Sequence, residues 1–300
     1  MIRSVSIYLV VLLISPFSRA DNLVVRYLPP ENPDQKAHYY YVDLLKLALE
    51  KTRAEDDGFE LQPIKYYMVQ SRAIQELNCG RKIDVYWTMT SKKREEKIRP
   101  IRIPLLKGLL GFRVFIIRKE DQEKFSQVTS LNDLKKFIAG QGHDWPDITV
   151  LRANGLEVVG ITDYQSIFPM LEKKRIDYFP RGVNEPWGEL AEHSEKGFVV
   201  ETHLLFQYPA PIYFFVNHRN VKLAERIERG LQIAIDDGSF EQLFSGYPGR
   251  EEVFQRARLN ERLVFKFNNP LLSDETPFED ARLWLDPFKE HIVTEQSEKQ

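Results

Sequence analysis

The chain has 300 residues, 43% hydrophobic and 29% charged, with a formal net charge of −2. That length supplies one large or two moderate domains with a substantial core, and the near balance of charge argues against nucleic acid or an anionic membrane surface as the main partner. The single cysteine, Cys79, excludes an internal disulfide and a thiolate metal cluster.

Residues 1–20 have the layout of a secretory signal peptide cut before Asp21: Arg3, an eight-residue apolar run from Ile7 to Ile14, and the small-residue end Ser18-Arg19-Ala20. The run is shorter than the roughly 20 residues a membrane span needs. Without this leader and its two arginines, 40 basic side chains face 44 acidic ones. No cysteine lies near the cut, so the expected product is a non-lipidated, soluble periplasmic protein.

Helices alternate with short strands thereafter, as in an α/β protein with mainly parallel sheet. Leu23 to Arg26 is a first strand. Tyr41, Leu44, Leu45, Ala48 and Leu49 recur at helical spacing across residues 37–53. Phe59 to Tyr66 is a strand that Pro63 pushes toward an edge. A short helix turns Ala73, Ile74 and Leu77 inward, and Cys79 near its end is expected as a small buried apolar side chain. Strands follow at Ile83 to Trp87 and at Phe112 to Ile117. A second α/β series then begins, with helical Leu131 to Lys136, a strand at Phe137 to Ala139, a helix capped by Asp163, and a strand at Tyr178-Phe179. Ile212 to Val216 leads back from it, and a helix from Val221 to Asp236 stops at Gly238. Two α/β units joined by two extended crossings predict two lobes on a two-strand hinge: 21–114 plus 211–270, and 115–210. Residues 271–300 form a polar, proline-punctuated tail whose end is expected to be disordered.

The order of motifs resembles that of family 3 extracellular solute-binding proteins. Gly80, Asp84, Thr88, Thr90, Arg94, Ile101 and Pro104 match the family's central pattern, Gly-x-x-Asp, then a Thr-rich segment, an arginine and an Ile-x-x-Pro. Ser130 to Trp145 is similar to its second-lobe opening, LEKKRIDYFPRG to a later strand with Arg175 in place of a glycine, and Leu223 to Phe244 to its closing helices. The resemblance spans nearly the whole chain after the leader. It implies a two-lobed type II periplasmic binding fold that traps a small ligand, and no cofactor or catalysis.

The resemblance makes Arg94 a planar two-pronged donor for a ligand carboxylate, aided by Thr88 and Thr90, whose period-two spacing turns both hydroxyls to one face. The competing expectation for Arg94 is one more base on a solvated helix face in SKKREEK. Trp87, Tyr67 and Arg72 would add aromatic and polar walls. From the second lobe, Gly140, Gln141, Gly142, His143 and Trp145 form a glycine-rich turn between a strand and a helix, where backbone N–H groups can approach an anion. The family's usual Gly-Thr or Gly-Ser is absent there, which leaves the ligand open. His143 and Asp144 lack a third ligand at metal-binding spacing. Arg181 and Glu185 follow a strand at the crevice side. Both arginines in one pocket would favour a dianion, whereas pairing of Arg181 with Glu185 would leave one cation.

The expected function is periplasmic binding of a small polar or anionic, amino-acid-like solute for delivery to an ABC-type permease, by a monomer. The alternatives are an enzyme on the same fold, like the cyclohexadienyl dehydratase relatives of these proteins, with Asp84, Asp144 and Glu185 as candidate acids, and a sensor acting through a separate partner.

Overall fold

A computed structural model describes residues 23–30, 36–53, 58–246 and 250–289. The expected leader at 1–20 and the end of the expected tail lie outside the described residues.

Strand β1 (Leu23–Tyr27) runs parallel to β2 (Phe59–Pro63), with helix α1 (Lys36–Lys51) between them. Helix α2 (Gln70–Cys79) leads to β3 (Val85–Met89), and the one-turn α3 (Lys92–Glu95) to β4 (Arg99–Ile101). Strand β5 (Phe112–Arg118) opens the second series: α4 (Gln122–Ser126), α5 (Leu131–Leu134), β6 (Ile138–Gly142), α6 (Pro146–Ala153), β7 (Glu157–Ile161), α7 (Ile167–Glu172), β8 (Tyr178–Gly182) and α8 (Pro186–Glu192). Strands β9 (Phe198–Val200) and β10 (Leu204–Gln207) follow, and β11 (Ile212–Val216) returns to the first series. Helices α9 (Val221–Asp236), α10 (Ser239–Ser245) and α11 (Arg250–Ala257) precede a last strand, β12 (Leu263–Lys266).

Two bodies result. In one, β11 lies antiparallel between β3 and β4 beside the β1–β2 pair. In the other, the larger sheet runs β12-β10-β5-β8-β6-β7, with β9 also on β5. Helix α9 shows why the first body closes: Leu223, Ala224, Ile227, Leu231 and Ala234 recur every three or four residues and are buried, against Leu44, Leu45, Ala48 and Leu49 of α1. Aromatic packing fills the second body, with Phe115 4.5 Å from Phe206 and 4.9 Å from Tyr178 between ring centres.

The chain passes between the bodies at Gly111-Phe112 and at Tyr208–Ile212, where the two passages touch. Tyr208 N donates to Gly111 O at 3.0 Å. A Cβ at Gly111 would lie 1.9 Å from Tyr208 O, so only glycine permits this approach.

Three placements differ from expectation. Strand β12, within the 211–270 segment expected in the first lobe, instead extends the larger sheet by pairing in parallel with β10. Arg262, buried just before it, donates to Ala257 O, Glu201 O and Leu204 O and so ties the strand down. Residues 268–289, which include the start of the polar tail expected at 271–300, are held against both bodies: Asn154 Nδ2 donates to Asn268 O at 3.0 Å, and Leu285 N to Lys107 O at 2.8 Å. Cys79 is exposed rather than buried, because α2 turns Ala73, Ile74 and Leu77 inward and position 79 falls on the opposite face.

Candidate ligand cleft

A cleft of about 260 Å³ opens between the two bodies. Its lining gathers at the carboxyl ends of parallel strands, where open α/β sheets place their ligand crevices. Leu28–Pro30 follow β1, and Tyr67, Val69 and Gln70 follow β2; Gly142, Asp144 and Trp145 follow β6, and Thr162–Tyr164 follow β7. His38, Tyr86, Trp87, Ile161, Arg181 and Glu189 complete it.

Two tryptophans supply opposed apolar walls. Trp87 stacks on Tyr41 with ring centres 5.5 Å apart and planes at 25°, and His38 lies 4.9 Å from it. Across the cleft, Trp145 stacks on Phe179 at 6.2 Å and 26°. A Cβ at Gly142 would fall 2.5 Å from the Trp145 ring, so the glycine lets the indole lie flat over the end of β6.

Arg181 sits between aromatic rings, its guanidinium carbon 5.0 Å from the Trp145 centre and 4.9 Å from that of Phe179. Its Nε and Nη2 donate to the two oxygens of Glu189 at 2.9 and 2.6 Å, and Nη2 also lies 3.0 Å from Glu185 Oε1. Burial works against the guanidinium charge, yet Glu185 and Glu189 outweigh it and hold Arg181 more firmly protonated than usual. Burial raises the carboxyl of Glu189, against the pull of Arg181. Tyr164 donates to Glu189 Oε1 at 2.7 Å, and burial pushes its own hydroxyl up. Burial brings the His38 imidazole down to about 4, so the ring is neutral at physiological pH, and its Nε2 is buried with no hydrogen-bond partner.

Arg94 does not line the cleft. It is 8% exposed, and its terminal nitrogens are bonded: Nη1 donates to Thr88 Oγ1 (2.5 Å) and Met89 O (2.8 Å), Nη2 to Gln70 Oε1 (2.8 Å) and Asp144 O (3.0 Å). Thr88 also donates to Gln70 Oε1 at 3.2 Å. The Asp144 carboxylate accepts the backbone N–H of Ser71, in the first turn of α2, at 2.9 Å.

Of the residues singled out in the sequence, Trp87, Tyr67, Gly142, Trp145 and Arg181 come together in the lining. Arg94 and Thr88 reach it through Gln70. Thr90 donates to Glu95 Oε1 at 2.6 Å instead, and Arg72, itself exposed, pairs with the buried Glu76 at 2.5 Å within α2. Gly140 and Gln141 are buried within the sheet, Gln141 donating to Pro180 O at 2.8 Å, and His143 is exposed. Glu185 accepts from Gly182 N at 2.6 Å and lies 3.4 Å from Arg113. Asp84 is gripped by both prongs of Arg26 at 2.8 Å. Leu28, His38, Thr162 and Glu189 were not singled out, and Asp163 was expected only as a helix cap. The rule of strand ends would have reached Leu28 after β1, and Thr162 and Asp163 once β7 was recognised. Among the described residues no group of His, Cys, Asp and Glu could hold a metal ion.

No protein-family model and no curated protein matches this sequence. Solved structures do. An ancestral arginine-binding protein bound to glutamine superposes with a TM-score of 0.56 at 18% identity, over 76% of this chain and 98% of its own. A periplasmic binding protein from Salmonella typhimurium with high arginine specificity gives 0.55 at 14% identity, over 75% and 99%. A histidine kinase sensor domain with similarity to periplasmic binding proteins gives 0.54 at 18%, over 77% and 97%. The class is therefore defined by architecture: this chain has the two-lobed α/β fold of type II periplasmic binding proteins.

Proposed function

We propose that this protein binds a small polar, amino-acid-like solute in the cleft between its lobes and has no catalytic role. The observation that carries this is the cleft itself, which both lobes line with an aromatic wall, Trp87 on one side and Trp145 on the other. Ligand contacts to both lobes supply the differential affinity that favours the closed arrangement. The similar arginine-binding proteins support an amino-acid-like ligand. The candidate acids offer no poised pair: Asp84 is bonded to Arg26, Glu185 to Gly182 N, and Asp144 to Ser71 N.

The leader-like residues 1–20 support export to the periplasm without lipidation, and among the described residues no helix is long and apolar enough to cross a membrane. We assign the protein as a monomer that delivers its solute to an ABC-type permease. The second reading, a sensor acting through a separate partner, is favoured by the likeness to the histidine kinase sensor domain. Thermal-shift screening of residues 21–300 against basic, acidic and neutral amino acids, organic acids and peptides tests binding, because a ligand selective for the folded state raises its stability. A panel without a stabilising solute overturns it. Co-purification with a permease, rather than with a signalling protein, separates the two roles.

A further inference from the structure

The lobe carrying Arg94 has two features that seek an anion, and protein groups occupy both. Arg94 presents four terminal N–H protons, and Thr88, Met89, Gln70 and Asp144 accept them. Gln70 Oε1 sits on Arg94 and Thr88 together, the pair of donors that a carboxylate oxygen would use. The N–H of Ser71 in the first turn of α2 is taken by the carboxylate of Asp144. What faces the cleft has the opposite character. Asp144, Asp163 and Glu189 line it against the guanidinium of Arg181, which is itself committed to Glu189. His38 lines it as a neutral ring and adds no positive charge. The Trp87 and Trp145 rings, which line the cleft as well, are electron-rich and carry no positive charge.

We propose that Gln70 sets the specificity of the cleft by capping Arg94, so that the site selects the cationic end of a solute, an amine or guanidine, and gains little from its carboxylate. This rests on the solute-binding assignment and narrows it to a ligand charge class. A carboxylate entering the Arg94 fork must displace an amide oxygen already bonded by two donors, and this exchange gains less than filling an open fork.

Calorimetry with agmatine and L-arginine, which differ by the carboxylate alone, tests this, with L-glutamate as the acidic control. In the wild-type protein the two guanidines should bind within about threefold of each other and glutamate at least about 100-fold more weakly. Gln70→Ala frees one N–H of Arg94 Nη2 and the Thr88 hydroxyl for a carboxylate oxygen, so arginine should gain about tenfold over agmatine. Acetate should then raise the Tm of the variant and not of the wild type, whatever the natural ligand, and adding Arg94→Gln should abolish both gains. A wild-type preference of about tenfold or more for arginine over agmatine overturns the proposal, as does an unchanged ratio in Gln70→Ala. Acidic or neutral solutes that bind while basic ones do not also overturn it and leave the solute-binding assignment standing. A wider panel in which nothing binds removes that assignment itself.

Discussion

The carboxylate of Asp144, on the loop after β6, accepts the backbone N–H of Ser71 at the start of α2, 2.9 Å away in the opposite lobe. The same residue's carbonyl accepts from Arg94 at 3.0 Å. One loop residue thus bonds the facing lobe twice, once through its side chain and once through its backbone. Closure therefore has a polar latch in addition to the aromatic walls.

The side-chain half of that latch can be removed alone. Asp144→Ala keeps the carbonyl bonded to Arg94 and removes the charge-assisted bond to Ser71. The site is partly open to water, so the loss should be about 1 kcal/mol, a fivefold or so shift toward the open form. Distance measurements between spin labels on the two lobes would read the shift. An unchanged distance distribution would show that the carboxylate contributes nothing to closure.

Below the cleft, Arg113 of β5 is almost fully enclosed, its Nη2 2.5 Å from Asp147 Oδ1. Tyr208, in the second passage between lobes, donates to the same oxygen at 2.5 Å. Asp147 therefore joins β5, the start of α6 and the hinge. Asp147→Asn should destabilise the fold by about 3–5 kcal/mol, because it leaves Arg113 charged and poorly matched in the interior. Tyr208→Phe keeps the ion pair and should cost about 1–2 kcal/mol. Urea denaturation of the two variants checks both the sizes and their order.

The framework of this fold was legible in the sequence where periodicity was strong and long. The bounds 221–236 for α9 and 212–216 for β11 follow from the residues alone, since an apolar helix face and an all-apolar strand leave little choice of register. Strand β7, EVVGI, was not: although Asn154-Gly155 marks a turn just before it, the strand is short and carries Gly160. Missing it hid Thr162 to Tyr164, which enter the cleft from its carboxyl end. The pattern around Arg94 marked a residue that does reach toward the cleft, but its partners Gln70 and Asp144 lie 24 and 50 positions away. Local spacing carries no information about such pairings, nor about Glu189, whose role depends on meeting Arg181 through the turn of α8.

His38 gives the fold a pH dependence of known sign. Burial lowers its folded-state value to about 4, against 6.5 for an ordinary imidazole. Between those values the unfolded chain binds a proton that the folded one does not, so stability falls as pH drops from 6.5 and levels off below about 4. The full loss is at most about 3 kcal/mol. His38→Phe cannot take up that proton and should flatten this part of the profile. Equilibrium unfolding of both proteins at pH 7 and pH 4.5 would measure it, and parallel profiles would show that His38 is not the group responsible.

Residues 268–289 tie the two lobes together behind the cleft. On one side Asn268 O accepts from Asn154 at 3.0 Å, and the Phe288 ring meets Phe112 edge-on at 5.8 Å. On the other, Lys92 N donates to Leu271 O at 2.7 Å, Arg282 pairs with Asp236 at 2.9 Å, and Leu285 N donates to Lys107 O. Between them Asn269 donates to Pro209 O, beside the hinge. A segment bonded on both sides of a hinge resists its opening. Trp284 is its apolar anchor: its indole N–H donates to Pro277 O at 2.8 Å, and its ring lies where a side chain at Gly108 would have to go. Trp284→Ala should cost about 2 kcal/mol, less than a fully buried tryptophan because the ring is only partly covered. If the strap restrains the hinge, the variant should also open further, and small-angle scattering would record a larger radius of gyration. A variant that loses stability while its radius stays unchanged would confine Trp284 to packing and leave hinge restraint to the bonds at Asn268 and Asn269.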